Sequence, residues 1–103
     1  MKAVELAAEA LAEVDEAARW YDHQRPGLGQ DPLGELEAVL LRVGDAPTSF
    51  PRLQDVPDEL DVRRCLLARF PYGVVFTTLT HSVRVIAFAH LKREPGYWLN
   101  RVH

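Results

Sequence analysis

Apolar positions change their period along the chain. Val4 and Leu6 alternate with Glu5, which fits a short strand at Ala3–Leu6. From Ala8 to about Gln24 the spacing becomes helical. Ala10, Val14, Ala17 and Tyr21 fall on one stripe, with Leu11 and Ala18 beside it, while Glu9, Glu13, Asp15, Glu16 and Asp22 occupy the other face. Trp20 and Tyr21 close this helix as amphipathic anchors and read as core packing. The connection Arg25-Pro26-Gly27-Leu28-Gly29 is short, because Pro26 cannot continue a helix and glycine tolerates positive φ. Asp31 then reads as an N-cap, with Pro32 at the first helical position. Leu33, Leu36, Leu40 and Val43 repeat at helical spacing, with Val39 alongside, so the second helix is expected to run to about residue 43. Two helices joined so closely form an antiparallel hairpin.

Gly44-Asp45-Ala46-Pro47 stops the second helix. A proline-punctuated loop follows, with Pro47, Pro51 and Pro57 and the acids Asp55, Asp58, Glu59 and Asp61. Phe50 and Leu53 are expected to pin it to the core. The pattern then turns strand-like. Residues 61–70 read as one strand, Pro71-Tyr72-Gly73 as a turn or bulge, residues 74–79 as a second strand, and Thr80-His81 as a hairpin tip. Ser82–His90 is the most strand-like run. Simple alternation puts Val83, Val85, Ala87 and Ala89 on one face and Arg84, Ile86, Phe88 and His90 on the other. The order β-α-α-β-β-β predicts an α+β fold: a short strand and a helical hairpin packed on an antiparallel sheet, in a single domain over residues 1–103. The helices account for one face of the last strand. The other face, with Ile86 and Phe88, needs either a protein partner or the tail carrying Tyr97 and Trp98 to cover it.

Composition changes this picture little until charge is divided along the chain. An apolar fraction of 48% and a charged fraction of 26% over 103 residues are those of an ordinary one-domain globular protein. No apolar run is long enough for a membrane span. The acidic start MKAVELAAEALAEVDEAA lacks the pattern of a signal or transit peptide, which points to a cytoplasmic protein. Cys65 is the sole cysteine; it alternates with Leu67 and reads as a small buried hydrophobe. His23, His81, His90 and His103 show no metal-ligand spacing, so no metal or other cofactor is expected. The net charge of −3 hides an asymmetry. Residues 1–61 carry five basic and fourteen acidic groups, whereas residues 62–103 carry seven basic groups and one acid. Either the two parts neutralise each other within the fold, or the basic part receives an anionic partner.

Several short segments, taken together, resemble the RelE/ParE superfamily of type II toxin–antitoxin toxins. They are Trp20-Tyr21, the loop from Arg25 to Gly29, the helix ending before Pro47 and Pro51, Arg63-Arg64, Arg69-Phe70-Pro71-Tyr72, and His90 followed by Arg93, Pro95, Tyr97 and Trp98. They lie in the family's order over nearly the whole chain. Pro32 departs from the large apolar residue usual at that place. The resemblance implies a toxin held inactive by a cognate antitoxin in a toxin–antitoxin hetero-oligomer. It implies contact with operator DNA only through the antitoxin, and no membrane partner.

Two toxic mechanisms follow from the resemblance. A RelE-like member cleaves mRNA on the ribosome, which needs a base, an acid and cations on the phosphate. The residues carried over for that chemistry are Arg69, His90, Arg93 and Tyr97, with Lys92 as an alternative cation. His90 suits proton transfer near neutral pH, and Tyr97 can instead stack on a base. A ParE-like member inhibits DNA gyrase as a binding module. The candidate target or antitoxin surface comprises Arg64, Arg69, Arg84, Ile86, Phe88, Lys92, Arg93 and Trp98. Arg63 and Arg64 point to opposite faces of one strand, so at most one serves a given site. Charge favours the gyrase reading. A pI near 5.7 and an acidic hairpin oppose entry into ribosomal RNA, and Lys2 and Lys92 are the only lysines.

Overall fold

In the computed structural model, residues 1–57 and 59–102 are described; Asp58 and His103, named above among the loop acids and histidines, lie outside the described residues. The elements run β1 (Ala3–Leu6), α1 (Ala8–Gln24), α2 (Gln30–Asp45), β2 (Val62–Leu66), β3 (Tyr72–Thr78) and β4 (Ser82–His90), with single 3-10 turns at Pro47–Ser49 and Leu99–Arg101. The α+β order is the one the sequence predicts. The sheet order is β1-β4-β3-β2. The sheet is mixed rather than antiparallel throughout. The β2–β3 and β3–β4 pairs are antiparallel, but β1 runs parallel to β4, from Ala3 opposite Ser82 to Leu6 opposite Val85. The helical hairpin is the crossover that permits this, since parallel neighbours cannot be joined by a tight turn.

Two local expectations are corrected at element ends. The second helix starts at Gln30, with Gly29 in the capping position, so Asp31 and Pro32 lie inside its first turn. The linker itself is wound: Leu28 N–H donates to the Arg25 carbonyl and Asp31 N–H to that of Leu28. Asp22 accepts the Gly29 N–H at 2.7 Å. Pro32 lacks only an N–H that the first turn leaves unpaired, and Asp31 complements the helix dipole. Gly27 supplies the one positive φ in this linker, +87°. The strand expected over residues 61–70 ends at Leu66: Leu67 N–H still donates to the Tyr72 carbonyl at 3.0 Å, but the backbone N–H groups after it have another acceptor. Glu35 Oε1 takes the N–H groups of Ala68 and Arg69 at 3.0 and 3.1 Å, which bends the chain away from β3.

The third correction concerns the faces of β4. Val75 is opposite Ala87 and Phe76 is opposite Val85, so Ile86 is an extra residue in the ladder, a β-bulge. Alternation holds on each side of it but changes phase across it. Val83, Val85 and Phe88 therefore join the core under the helices, with Ala10, Val14, Leu36, Val39 and Phe76. Ile86 and Ala87 join a second core on the far face, with Val62, Val75 and Trp98. Ile86, Phe88 and Trp98 are all nearly fully buried, so of the two alternatives the sequence leaves open, a partner or the tail, it is this chain's own tail that covers the far face. The long loop covers it too, through Leu53, Val56 and Leu60. Phe50 anchors the same loop to the first core, edge-on to Phe76.

A cleft between the first helix and the C-terminal tail

Glu13 lies three residues after Ala10 and four before Ala17, at the border of the buried stripe of α1. Its carboxylate is largely enclosed, with 13% of the side chain exposed, and it collects five donors. Oε1 accepts the Phe88 N–H at 3.1 Å and Arg101 Nη1 at 2.9 Å. Oε2 accepts the Tyr97 hydroxyl at 2.6 Å, Arg93 Nη1 at 3.2 Å and Arg101 Nη2 at 3.3 Å. Arg101 Nη1 also donates to the Ile86 carbonyl at 3.0 Å. The register of β1 with β4 ends at Val85. The bulge therefore leaves the Ile86 carbonyl and the Phe88 N–H to side chains, and Arg101 and Glu13 take them. Arg93 lies 3.6 Å above the centre of the Tyr97 ring, with Arg101 at 5.2 Å.

This arrangement sets the chemistry of the tail. Burial, then the hydrogen bond and charge of Glu13, push the Tyr97 hydroxyl far above the ordinary tyrosine value despite the nearby guanidinium groups. Tyr97 is thus a firm donor to a carboxylate and a poor proton shuttle at neutral pH. Burial would lower the pKa of Arg101, but the bond to Glu13 and its charge outweigh that and raise it.

Beside Glu13 an open cleft of about 450 Å³ separates α1 from the ends of β3 and β4. Its walls include Trp20, Tyr21, Tyr72, Phe88, His90 and Arg93. Tyr72 stacks on Phe88 with ring centres 4.5 Å apart, and His90 meets Tyr72 edge-on. Trp20 stands 56% exposed against the edge of Tyr21, contrary to its expected place in the core. A smaller cleft of about 310 Å³ on the far face is bordered by Arg64, Val75, Ala89, Tyr97 and Trp98, and shares His90 and Arg93 with the first.

The structure brings together three of the four residues carried over for nuclease chemistry: His90, Arg93 and Tyr97. His90 Nδ1 accepts the Lys92 N–H at 3.0 Å, which leaves Nε2 to carry the proton of the neutral ring. Arg69 borders neither cleft. Its Nε donates to Glu35 Oε2 at 2.6 Å, and its guanidinium lies over the Phe70 ring. Burial pushes the Glu35 pKa up, but hydrogen bonds from the Arg69 backbone and side chain and the Ala68 N–H outweigh it and hold the carboxyl below its usual range. Arg64 and Arg84 are exposed on their strands, and Lys92 is exposed in the turn after β4. Burial raises the Cys65 thiol, with Arg42 opposing, which suits a core residue and not a nucleophile. Among the described residues no group of three or more His, Cys, Asp or Glu side chains is placed to hold a metal. Sequence reasoning missed Glu13, Glu35 and Arg101 as site residues. The one available signal was the position of Glu13 at the margin of an apolar stripe.

With this geometry in place, the fold has a clear counterpart. A chain of the chromosomal ParDE toxin–antitoxin (TA) system from P. aeruginosa superposes with a TM-score of 0.77 at 16% identity, over 89% of this chain and 98% of that one. The two share a fold from end to end. Neither a protein-family model nor a curated protein matches the sequence. At 16% identity the likeness is one of fold, and that fold is the one implied by the resemblance read from the scattered Trp-Tyr, Arg-Pro-Gly and His-to-Trp segments.

Proposed function

We propose that this protein is the toxin of a type II toxin–antitoxin module, neutralised by a cognate antitoxin and acting as a ParE-like inhibitor of DNA gyrase. The observation that carries the module is the end-to-end fold shared with a chain of the ParDE TA system. The observation that favours a binding module over a nuclease is the state of the candidate catalytic groups. Arg93 and Tyr97 are engaged by Glu13, and Arg69 by Glu35. A nuclease needs those cations on the scissile phosphate. The acidic hairpin adds repulsion from ribosomal RNA. In this reading operator DNA is contacted only through the antitoxin, and the module works in the cytoplasm.

The test is supercoiling of relaxed plasmid by purified gyrase at micromolar protein, with and without the product of the neighbouring open reading frame. Inhibition or trapped cleavage, relieved by that product, is the expected result. Normal supercoiling throughout removes the gyrase assignment. Unimpaired growth on expression of the protein alone removes the toxin assignment itself.

One observation favours the second reading, ribosome-dependent mRNA cleavage: His90, Arg93 and Tyr97 border a common cleft with Arg64. Codon-phased mRNA cuts in a reconstituted translation reaction, lost in His90→Ala, would establish that reading and displace gyrase inhibition.

A further inference from the structure

The groups around Glu13 have the composition of an oxyanion site. Two guanidinium groups, a phenol hydroxyl and a backbone N–H converge on two oxygens at 2.6–3.3 Å. Charge-assisted donors at such distances serve a carboxylate and a phosphate alike. All the donors come from β4 and the tail, and the acceptor comes from α1, 75 to 88 residues earlier. We infer that the chain carries a built oxyanion site whose resident anion is its own Glu13 carboxylate, and that Glu13 is the residue that keeps an external phosphate out of it.

Three features carry this beyond a simple latch. Two of the donors are positioned without Glu13. Phe88 is fixed in β4 by its stack on Tyr72, and Arg101 is held by the Ile86 carbonyl, while Trp98, between Tyr97 and Arg101 in sequence, is buried in the second core. Removing the carboxylate therefore vacates the site and leaves the Phe88 N–H and the Arg101 guanidinium in place. The charge is also uneven at contact distance: Arg93 and Arg101 both bind the single carboxylate of Glu13, with Glu9, one turn earlier on α1, adding a more distant negative charge beside Arg101. Finally, the site is reachable. Glu13 and Arg93 both border the open cleft, and Arg93 is half-exposed. Glu13 thus decides, at one position, whether the cationic tail is available to nucleic-acid phosphate. This rests on side-chain geometry alone and stands whether or not the chain is a toxin.

The test compares full-length wild type with Glu13→Ala, using inorganic phosphate at constant ionic strength, balanced with chloride, as the probe. The variant should melt below wild type in chloride. Phosphate should raise its Tm saturably while leaving wild type unmoved, since a ligand stabilises only the form that binds it. A short single-stranded RNA should bind Glu13→Ala more tightly than wild type, on the order of tenfold. Equal phosphate response in the two proteins overturns the inference, because a mere latch would leave no vacant site. Should Glu13→Ala fail to fold in both salts, Glu13→Ser decides the matter. It too withdraws the carboxylate from the donors, and the inference requires phosphate to raise its Tm saturably; an equal phosphate response in Glu13→Ser and wild type refutes it.

Discussion

Trp98→Ala tests the claim that the tail is an integral layer of the fold. Trp98 is 5% exposed and packs with Val62, Val75, Ile86 and Ala87. A tryptophan buries about 200 Å². At about 25 cal/mol per Å² that is roughly 5 kcal/mol, an upper estimate because the unfolded chain already hides some of that area. Measured truncations of large aromatics cost about 3–5 kcal/mol. Against a total of about 5–15 kcal/mol for a domain of this kind, roughly a fifth or more of the stability is at stake. For about 100 residues the corresponding fall in Tm is roughly 15–30 °C. The assay is urea unfolding followed by circular dichroism, repeated with Trp98→Phe, which should recover part of the loss. In a Trp20→Phe background Trp98 is the sole tryptophan, and its emission should be blue-shifted and poorly quenched by acrylamide. The Phe88 amide should also exchange faster in Trp98→Ala, since Tyr97 and Arg101 lose their anchor. A cost below about 1 kcal/mol, the size of a surface substitution, would refute the tail as a structural plug.

Other consequences follow from single positions. Because the folded-state pKa of Glu35 lies below its ordinary 4.5, its stabilisation is complete above that value and is lost as pH falls through the depressed one. Urea midpoints of wild type and Glu35→Gln should therefore differ most near neutral pH and converge in acid; a gap that widens in acid would contradict the pairing with the 68–69 loop. At Gly29 an added Cβ would sit 2.4 Å from the Ala18 carbonyl oxygen and 2.8 Å from Asp22 Oδ1. Gly29→Ala should cost about 1–3 kcal/mol in urea unfolding by forcing the helices apart. Trp20→Ala should cost less than about 1 kcal/mol in the same assay, because the ring is mainly solvent-facing.

The elements that the sequence announces correctly are those governed by one local period. The limits of α1 agree to the residue, since Ala10, Val14, Ala17 and Tyr21 form an unbroken stripe ended by Pro26. Elements governed by distant partners were misread. Nothing in the residues after Leu66 reveals that Glu35, on α2, will take two of their N–H groups. The bulge at Ile86 is equally silent. Val85 to Ala89 is uniformly apolar, so hydropathy gives no phase, and only pairing with β3 shows that one residue is extra. The candidate site inherited both errors. Phe88 was assigned to the wrong face, and Glu13 was read as one more solvated acid on a polar surface.

The charge asymmetry now has a physical division. Four of the seven basic residues after position 61 meet acids from the first part of the chain: Arg63 meets Asp61, Arg69 meets Glu35, and Arg93 and Arg101 meet Glu13. Of these, Arg69, Arg93 and Arg101 tie the basic sheet and tail to acids of the helical hairpin. Burial separates them into kinds. Arg101 and Glu13 are both mainly enclosed, so breaking that pair leaves a charge with poor access to water. Arg69 is 66% exposed and adds little as an ion pair, its bond to Glu35 being mainly a clamp on the loop. Arg64, Arg84 and Lys92 are the remainder, exposed and free of an acidic partner among the described residues. Arg64 and Arg84 both lie on the face away from the helices, as their alternation with Cys65 and Val85 requires. Under the proposed function, an anionic antitoxin segment would find these free cations on that face, above the second core, and the cationic tail at the sheet edge would join them only where Glu13 gives way.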